Sequence, residues 1–211
     1  MTKTVLIVNP ISGRIDHPRQ VNWIRDNLTK SGIDIRIRET RRPGHATEIA
    51  RRAAGEGSEL IISMGGDGTL NEVINGIAGT PARLGIIPTG LSNVLARELG
   101  IKQDLGEAAA TVRNGRVRRI DLGTVNGRYF SLMVSVGLDA QAVKIVNRTL
   151  KRYLKRYAYH LAGLKAAFAF HPPPFDITVD GGIKLSARAA VISSSRFYGG
   201  PHQITPQARI D

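Results

Sequence analysis

The sequence predicts an α/β fold: a parallel sheet with helices on both faces, followed by a β-rich antiparallel region. Three observations carry this. Short apolar runs alternate with helically spaced apolar residues up to about residue 100. Glycine-bearing turns follow several of those runs. Beyond about residue 116, apolar runs come in pairs joined by Asn126-Gly127 and by Asp180-Gly181-Gly182, which are hairpin signals.

Taken in order, Val5–Val8 reads as a buried strand and is followed by the loop Asn9-Pro10-Ile11-Ser12-Gly13. A helix is predicted over Pro18–Ser31, with Val21, Ile24 and Leu28 on one face. Ile33–Arg38 alternates apolar and polar residues, as a half-exposed strand does. Gly44–Gly55 reads as a helix, Leu60–Met64 as a buried strand and Leu70–Ala78 as a helix. Leu84–Ile87 is another buried strand and Ser92–Leu99 another helix. The domains expected are 1–118, an α/β unit, and 119–211, a β-rich unit with a helical insertion at 138–170 closed by Pro172-Pro173-Pro174. In open parallel sheets, ligands bind beyond the carboxyl ends of the strands.

Composition narrows the function classes. The 211 residues contain no cysteine, which excludes disulfides and thiolate metal sites. No apolar run approaches the roughly 18 residues of a membrane span, and Val5–Val8 is too short for a secretory leader. A cytoplasmic protein is expected, peripheral on a membrane at most. With 30 Lys+Arg against 17 Asp+Glu, the net charge is +13, which favours an anionic partner. Residues 140–170 concentrate this excess, with seven Lys/Arg and no Asp or Glu.

The stretch "LIISMGGDGTLNEVINGI" (60–77) carries the chemistry. A strand enters at Leu60–Met64, and Leu70, Val73, Ile74 and Ile77 give the leaving helix its apolar face. Gly65, Gly66 and Gly68 occupy the turn, where a ligand can approach the backbone closely. The start of the helix offers unpaired N–H groups and a partial positive charge, both suited to phosphate. Thr69 and Glu72 also match a T-x-x-E capping box, which explains a helix start without any ligand. Neither G-x-x-x-x-G-K-[ST] nor G-x-G-x-x-G is present, since Asn71 stands where the third glycine would be.

Four segments together resemble the diacylglycerol kinase catalytic family, lipid kinases that include the sphingosine and ceramide kinases. They are "NPISG" (9–13), Thr40 with "GHATEIAR" (44–51), "GGDGTLNEVING" (65–76) and "LGIIPTGLSNVLARELGI" (84–101), in the family's order and spacing. "SVGLDA" (135–140) and "YGGPHQITPQARID" (198–211) resemble the second domain of bacterial members. NAD kinases share the GGDGT loop, whereas N-P-x-S-G and the Asn-Glu after GGDGT-x favour the lipid kinases.

The resemblance implies a Rossmann-like, phosphofructokinase-like first domain, an antiparallel sandwich as the second, and transfer of the γ-phosphoryl of ATP to a lipid hydroxyl. Carried over, Asn9, Ser12 and Gly13 line the phosphate side of the nucleotide and Thr40 touches it. Gly65, Gly66, Asp67, Gly68, Thr69, Leu70, Asn71 and Glu72 wrap the phosphates and ribose, and Asp67 is the catalytic carboxylate that holds Mg²⁺. Gly90, Ser92 and Asn93 complete the site. Where the family reads G-T-x-N, this chain has Gly90-Leu91-Ser92-Asn93, so a threonine hydroxyl is missing. In the family the chain continues past the "ITPQARID" segment and later supplies the carboxylate proposed to deprotonate the lipid. The 211 residues end at Asp211, and a truncated, weakly active or inactive member is expected.

The segment 142–170 has apolar residues at helical spacing and Lys144, Arg148, Lys151, Arg152, Lys155 and Arg156 over its remaining surface. It reads as a surface for an anionic bilayer, or as a helix packed on the β-rich domain with solvated charges. The five histidines lack metal-ligand spacing; His45, at a helix start, is structural or nucleotide-adjacent. Nucleic acid is not an expected partner, because no recognition motif accompanies the charge. The rival readings are an NAD kinase-like enzyme and a non-catalytic protein that binds nucleotide or anionic lipid.

Overall fold

The computed structural model describes residues 3–13, 17–137, 173–198 and 202–210. The chain forms two compact units, Met1–Leu132 with Ser193–Asp211, and Met133–Ile192.

The first unit is built on four parallel strands, β1 (Lys3–Val8), β2 (Asp34–Glu39), β3 (Leu60–Gly65) and β4 (Arg83–Pro88), in the order β2-β1-β3-β4. Strands β1 and β3 are buried on both faces and read as continuous apolar runs, as inner parallel strands do. Strand β2 alternates because it lies at the sheet edge. Ile35 and Ile37 pack inward, while Arg36 and Arg38 are exposed on the other face.

The period of two along β1 divides the core. Leu6 and Val8 face α1 (His17–Thr29), through Val21, Ile24 and Leu28. Val5 and Ile7 face α2 (His45–Gly55) and α3 (Asp67–Ile77), through Ala46, Ala50, Ala53, Val73 and Ile77. Fully burying a Leu, Ile or Val stabilises by about 1.5–3 kcal/mol, so these two layers supply most of the unit's driving force. Helices α2 and α3 approach closely at Gly76, where a Cβ would lie 2.6 Å from Ala50 Cβ.

Most element ends shift by a residue or two from the sequence reading, and two helix starts and one further helix differ more. Helix α3 starts at Asp67, three residues earlier than expected. Helix α4 (Val94–Glu98) starts later than Ser92, because Asn93 takes a left-handed conformation (φ 46°) and ties its side chain to Gly90. A further helix, α5 (Leu105–Asn114), has no counterpart among the elements the sequence predicts. Its N-cap, Asp104, accepts a hydrogen bond from Glu107 N–H at 2.9 Å, and Ala108 and Ala109 join the α1 side of the core.

A hairpin, β5 (Gly123–Val125) and β6 (Arg128–Phe130), turns at Asn126 and Gly127, both with positive φ. Asn75 of α3 pins it: its Nδ2 donates to Tyr129 O at 2.9 Å, and its Oδ1 accepts from Tyr129 N–H at 2.9 Å. The same unit includes the short pair β11 (Phe197–Tyr198) and β12 (His202–Gln203). Ile210 is buried with Leu70, Ile74, Ile86 and Leu95.

The second unit contains β7 (Met133–Val136), the antiparallel hairpin β8 (Phe175–Val179) and β9 (Ile183–Ala187), and most of β10 (Ala190–Ser193), which pairs with β7. The turn at Asp180 and Gly181 has positive φ at both residues, as its sequence predicts. A parallel sheet with helices followed by antiparallel β-structure is the fold class expected. The helical insertion expected at 138–170 lies outside the described residues.

Candidate functional site

The sheet places the loops after β1, β3 and β4 side by side, because those strands are neighbours. Backbone pairing continues past the strand ends: Asn9 N–H to Met64 O at 3.0 Å, Thr40 N–H to Val8 O at 2.8 Å and Thr89 N–H to Gly65 O at 2.9 Å. The loops therefore leave a common rim.

Glycine is required where they meet. A Cβ on Gly90 would lie 2.6 Å from Gly66 Cα and 2.8 Å from Asn93 Oδ1. A Cβ on Gly65 would lie 2.7 Å from Thr69 Cβ. Ser12 joins from the β1 loop, its Oγ accepting from Thr89 Oγ1 at 3.3 Å. Asn9 Nδ2 donates to Thr69 Oγ1 at 2.8 Å, and Asn9 Oδ1 accepts from Ile11 N–H at 3.2 Å. The first intrahelical bond of α3 runs from Leu70 N–H to Gly66 O at 3.0 Å. The amides of Gly68 and Thr69 lie ahead of it and have no partner within the helix.

The capping box expected at Thr69 and Glu72 does not form. Gly66 is the N-cap and offers no side chain, while Thr69 lies inside the first turn and is held by Asn9. The Glu72 carboxylate serves the neighbouring helix instead. It accepts from Gly44 N–H at 2.9 Å and Ala46 N–H at 3.1 Å, and Thr47 Oγ1 donates to Glu72 O at 2.8 Å. An anion at the start of α2 is where a helix favours one.

Asp67 is partly buried beside the first turn of α4, and its Oδ1 accepts from Leu95 N–H at a long 3.4 Å. Burial raises its pKa above the ordinary aspartate range, opposed by hydrogen bonds from the backbone of Leu95, Val94 and Asn93. A carboxylate so incompletely compensated fits a cation. Among the described residues no three His, Cys, Asp or Glu side chains gather as metal ligands. A Mg²⁺ ion would therefore be held by Asp67 together with phosphate oxygens and water, the usual arrangement for this ion. The Gly66–Gly90 cradle, which a single Cβ would fill, fits a phosphate chain.

The remaining predicted residues are less central. Leu70 is buried in the core between α3, β4 and α4. Gly13 and Gly68 are exposed, with Gly13 at φ 80°. Asn71 O accepts from Asn75 Nδ2 at 2.8 Å, and Ser92 O accepts from Gln103 Nε2 at 3.4 Å. Thr40 lies beside the end of β1. His45 Nδ1 accepts from Arg41 N–H at 3.1 Å, a helix-start role. Sequence reasoning missed the amides of α4 that face Asp67, since only the fold brings residues 67 and 95 together. It also missed Thr89, although Pro88-Thr89-Gly90 was visible within a quoted motif.

With this geometry in hand, two family models match the chain. The diacylglycerol kinase catalytic domain covers residues 3–125, and the YegS C-terminal NAD kinase beta sandwich-like domain covers residues 132–211. A diacylglycerol kinase of Bacillus subtilis (strain 168) is 34% identical over all of this chain, which spans 71% of that relative. A diacylglycerol kinase of Staphylococcus aureus (strain bovine RF122 / ET3-1) is 32% identical over 98% of this chain, which spans 66% of the relative. A crystal structure of a diacylglycerol kinase from Bacillus anthracis str. Sterne superposes with a TM-score of 0.78 at 29% identity, covering all of this chain and 70% of that one.

Proposed function

This chain belongs to the diacylglycerol kinase catalytic domain family, and on that premise we propose that it transfers the γ-phosphoryl group of ATP to a diacylglycerol-like lipid hydroxyl. The observation that carries the reading is the closure of Gly66 against Gly90 beside the desolvated Asp67 carboxylate. Phosphoryl transfer asks mainly for positioning and charge neutralisation, and this rim offers both. The amides of Gly68 and Thr69 bind phosphate oxygens. Asn9 holds Thr69 so that the first turn of α3 keeps its aim, and Ser12 closes the β1 side. Asp67 would hold Mg²⁺, which would supply charge neutralisation at the phosphates. The lipid is reached at an anionic bilayer, with the basic stretch 142–170 as the docking segment.

The test is calorimetry with Mg·ATP on folded protein, followed by transfer from labelled ATP to lipid extract. Saturable heat and a labelled phospholipid are expected; absence of both overturns the reading. One observation favours a second reading: the model matching 132–211 is described as NAD kinase beta sandwich-like, a likeness of fold. Label appearing in added NAD rather than in lipid would select it. Co-sedimentation with anionic vesicles, lost at high salt, tests the docking; equal sedimentation with neutral vesicles removes it.

A further inference from the structure

The Glu98 carboxylate lies 97 and 98 residues from the two partners that saturate it. Its Oε2 accepts from Ser195 Oγ at 2.8 Å and Arg196 N–H at 3.2 Å. Its Oε1 accepts from Arg196 Nε at 3.2 Å and Nη2 at 3.1 Å. The Glu98 side chain is only 4% exposed, whereas Arg196 is 47% exposed. All of these residues belong to one compact unit.

Glu98 ends α4, a helix of five residues. Isolated helices this short do not hold themselves together, since nucleation costs more than one turn returns. Burial of Leu95 and Ala96 seats α4 against the core, and the Glu98 clamp holds its far end against the segment 195–197. The near end supplies the amides that meet Asp67, including Leu95 N–H at 3.4 Å. At about 1.5 Å per residue, clamp and amides are only about 6 Å apart along the helix. A shift at one end is therefore felt at the other.

We propose that Glu98 is a positioning residue for phosphoryl transfer: through Ser195 and Arg196 it fixes α4, and α4 sets the carboxylate of Asp67. The effect on catalysis rests on the kinase reading, but the mechanical coupling does not. Glu98 touches no reacting atom. Misplacement of a reacting group by about an ångström costs up to about 10²-fold in rate, so a loosened α4 is expected to show in turnover.

The test uses Glu98→Ala, Glu98→Gln and Arg196→Ala in the full chain. Arg196→Ala removes an exposed side chain and two of the four hydrogen bonds, so it reads the clamp even where Glu98→Ala fails to fold. Amide exchange at Val94 and Leu95 is expected to quicken at least about tenfold in Arg196→Ala, while β3 amides keep their protection. Unchanged exchange at Val94 and Leu95 overturns the coupling, whether or not the protein turns over lipid. In the kinase assay kcat is expected to fall at least about tenfold with the lipid KM steady, and Glu98→Gln to recover part of it. Variants that lose thermal stability but keep kcat per folded molecule reduce the clamp to a structural role and overturn the proposal.

Discussion

The first and second turns of α3 each carry a carboxylate facing the start of another helix, and the two are treated differently. Glu72 is saturated at 2.9 and 3.1 Å by Gly44 and Ala46 amides. Asp67 accepts from Leu95 N–H at a long 3.4 Å, and burial raises its pKa despite the opposing backbone hydrogen bonds of Leu95, Val94 and Asn93. The satisfied carboxylate builds the fold by fastening α2 to α3. The incompletely compensated one carries a burial cost that a bound cation would offset. Acidic residues in a glycine-rich turn are thus told apart by their hydrogen-bond partners rather than by their place in a motif.

Asp67→Asn is the strongest way to break this contrast. Turnover is expected to fall by about 10²–10³, the usual loss when a preorganised electrostatic group is removed. Stability should move the other way. The folded state holds the Asp67 proton more tightly than the unfolded chain does. Between the ordinary aspartate pKa and the raised one, the folded state binds more protons, so the Asp67 contribution to stability falls as pH rises through that window. The penalty is full above the raised pKa and vanishes in acid. The variant's thermal midpoint at pH 7 should equal or exceed that of the parent, and the gap should close as pH falls towards 4. A lower midpoint at pH 7 would return Asp67 to a turn-stabilising role.

Gly90→Ala attacks the rim between the two carboxylates' neighbours. The added Cβ meets backbone at Gly66, which cannot swing aside as a side-chain tip can. A cost of about 1–3 kcal/mol is expected, together with loss of Mg·ATP heat in calorimetry. Gly68→Ala, whose Cβ meets nothing within 4 Å, is the control and should leave stability nearly unaltered.

Much of this was readable from the chain, for physical reasons. Inner strands such as β1 and β3 are continuous apolar runs because both faces are covered, and Asn-Gly or Asp-Gly fixes a hairpin by local backbone preference alone. Interactions between distant residues were not readable. Thr69 and Glu72 satisfy a local capping rule, yet tertiary partners won both: Asn9 took Thr69, and the α2 amides took Glu72. Helix α5 escaped notice because its apolar face is mostly small, Ala108 and Ala109, although Asp104 and Glu107 marked its start. The Glu98 clamp spans 97 residues and leaves no local trace.

Glu72→Ala sharpens the comparison from the satisfied side. It leaves the Gly44 and Ala46 amides without their acceptor and removes an anion from the α2 start. The expected cost is about 1–2 kcal/mol, seen as a lower urea midpoint, with kcat per folded molecule within about threefold of the parent. A fall in kcat/KM without destabilisation would instead put Glu72 on the ligand.

The smallest effect is expected at Leu91, beside the rim. The residue is 61% exposed, so exchanging it for threonine disturbs little packing and should shift the thermal midpoint hardly at all. What changes is the inventory of donors next to Gly90, where the family carries a hydroxyl. One additional hydrogen bond to a phosphate is worth about 0.5–1.5 kcal/mol net, which corresponds to roughly 2–10-fold in affinity. Leu91→Thr should therefore tighten Mg·ATP binding by that factor in calorimetry, and the gain should disappear when Asp67→Asn is added. If the gain persists without Asp67, the hydroxyl meets the nucleotide away from the cation, and the two sides of the rim act independently.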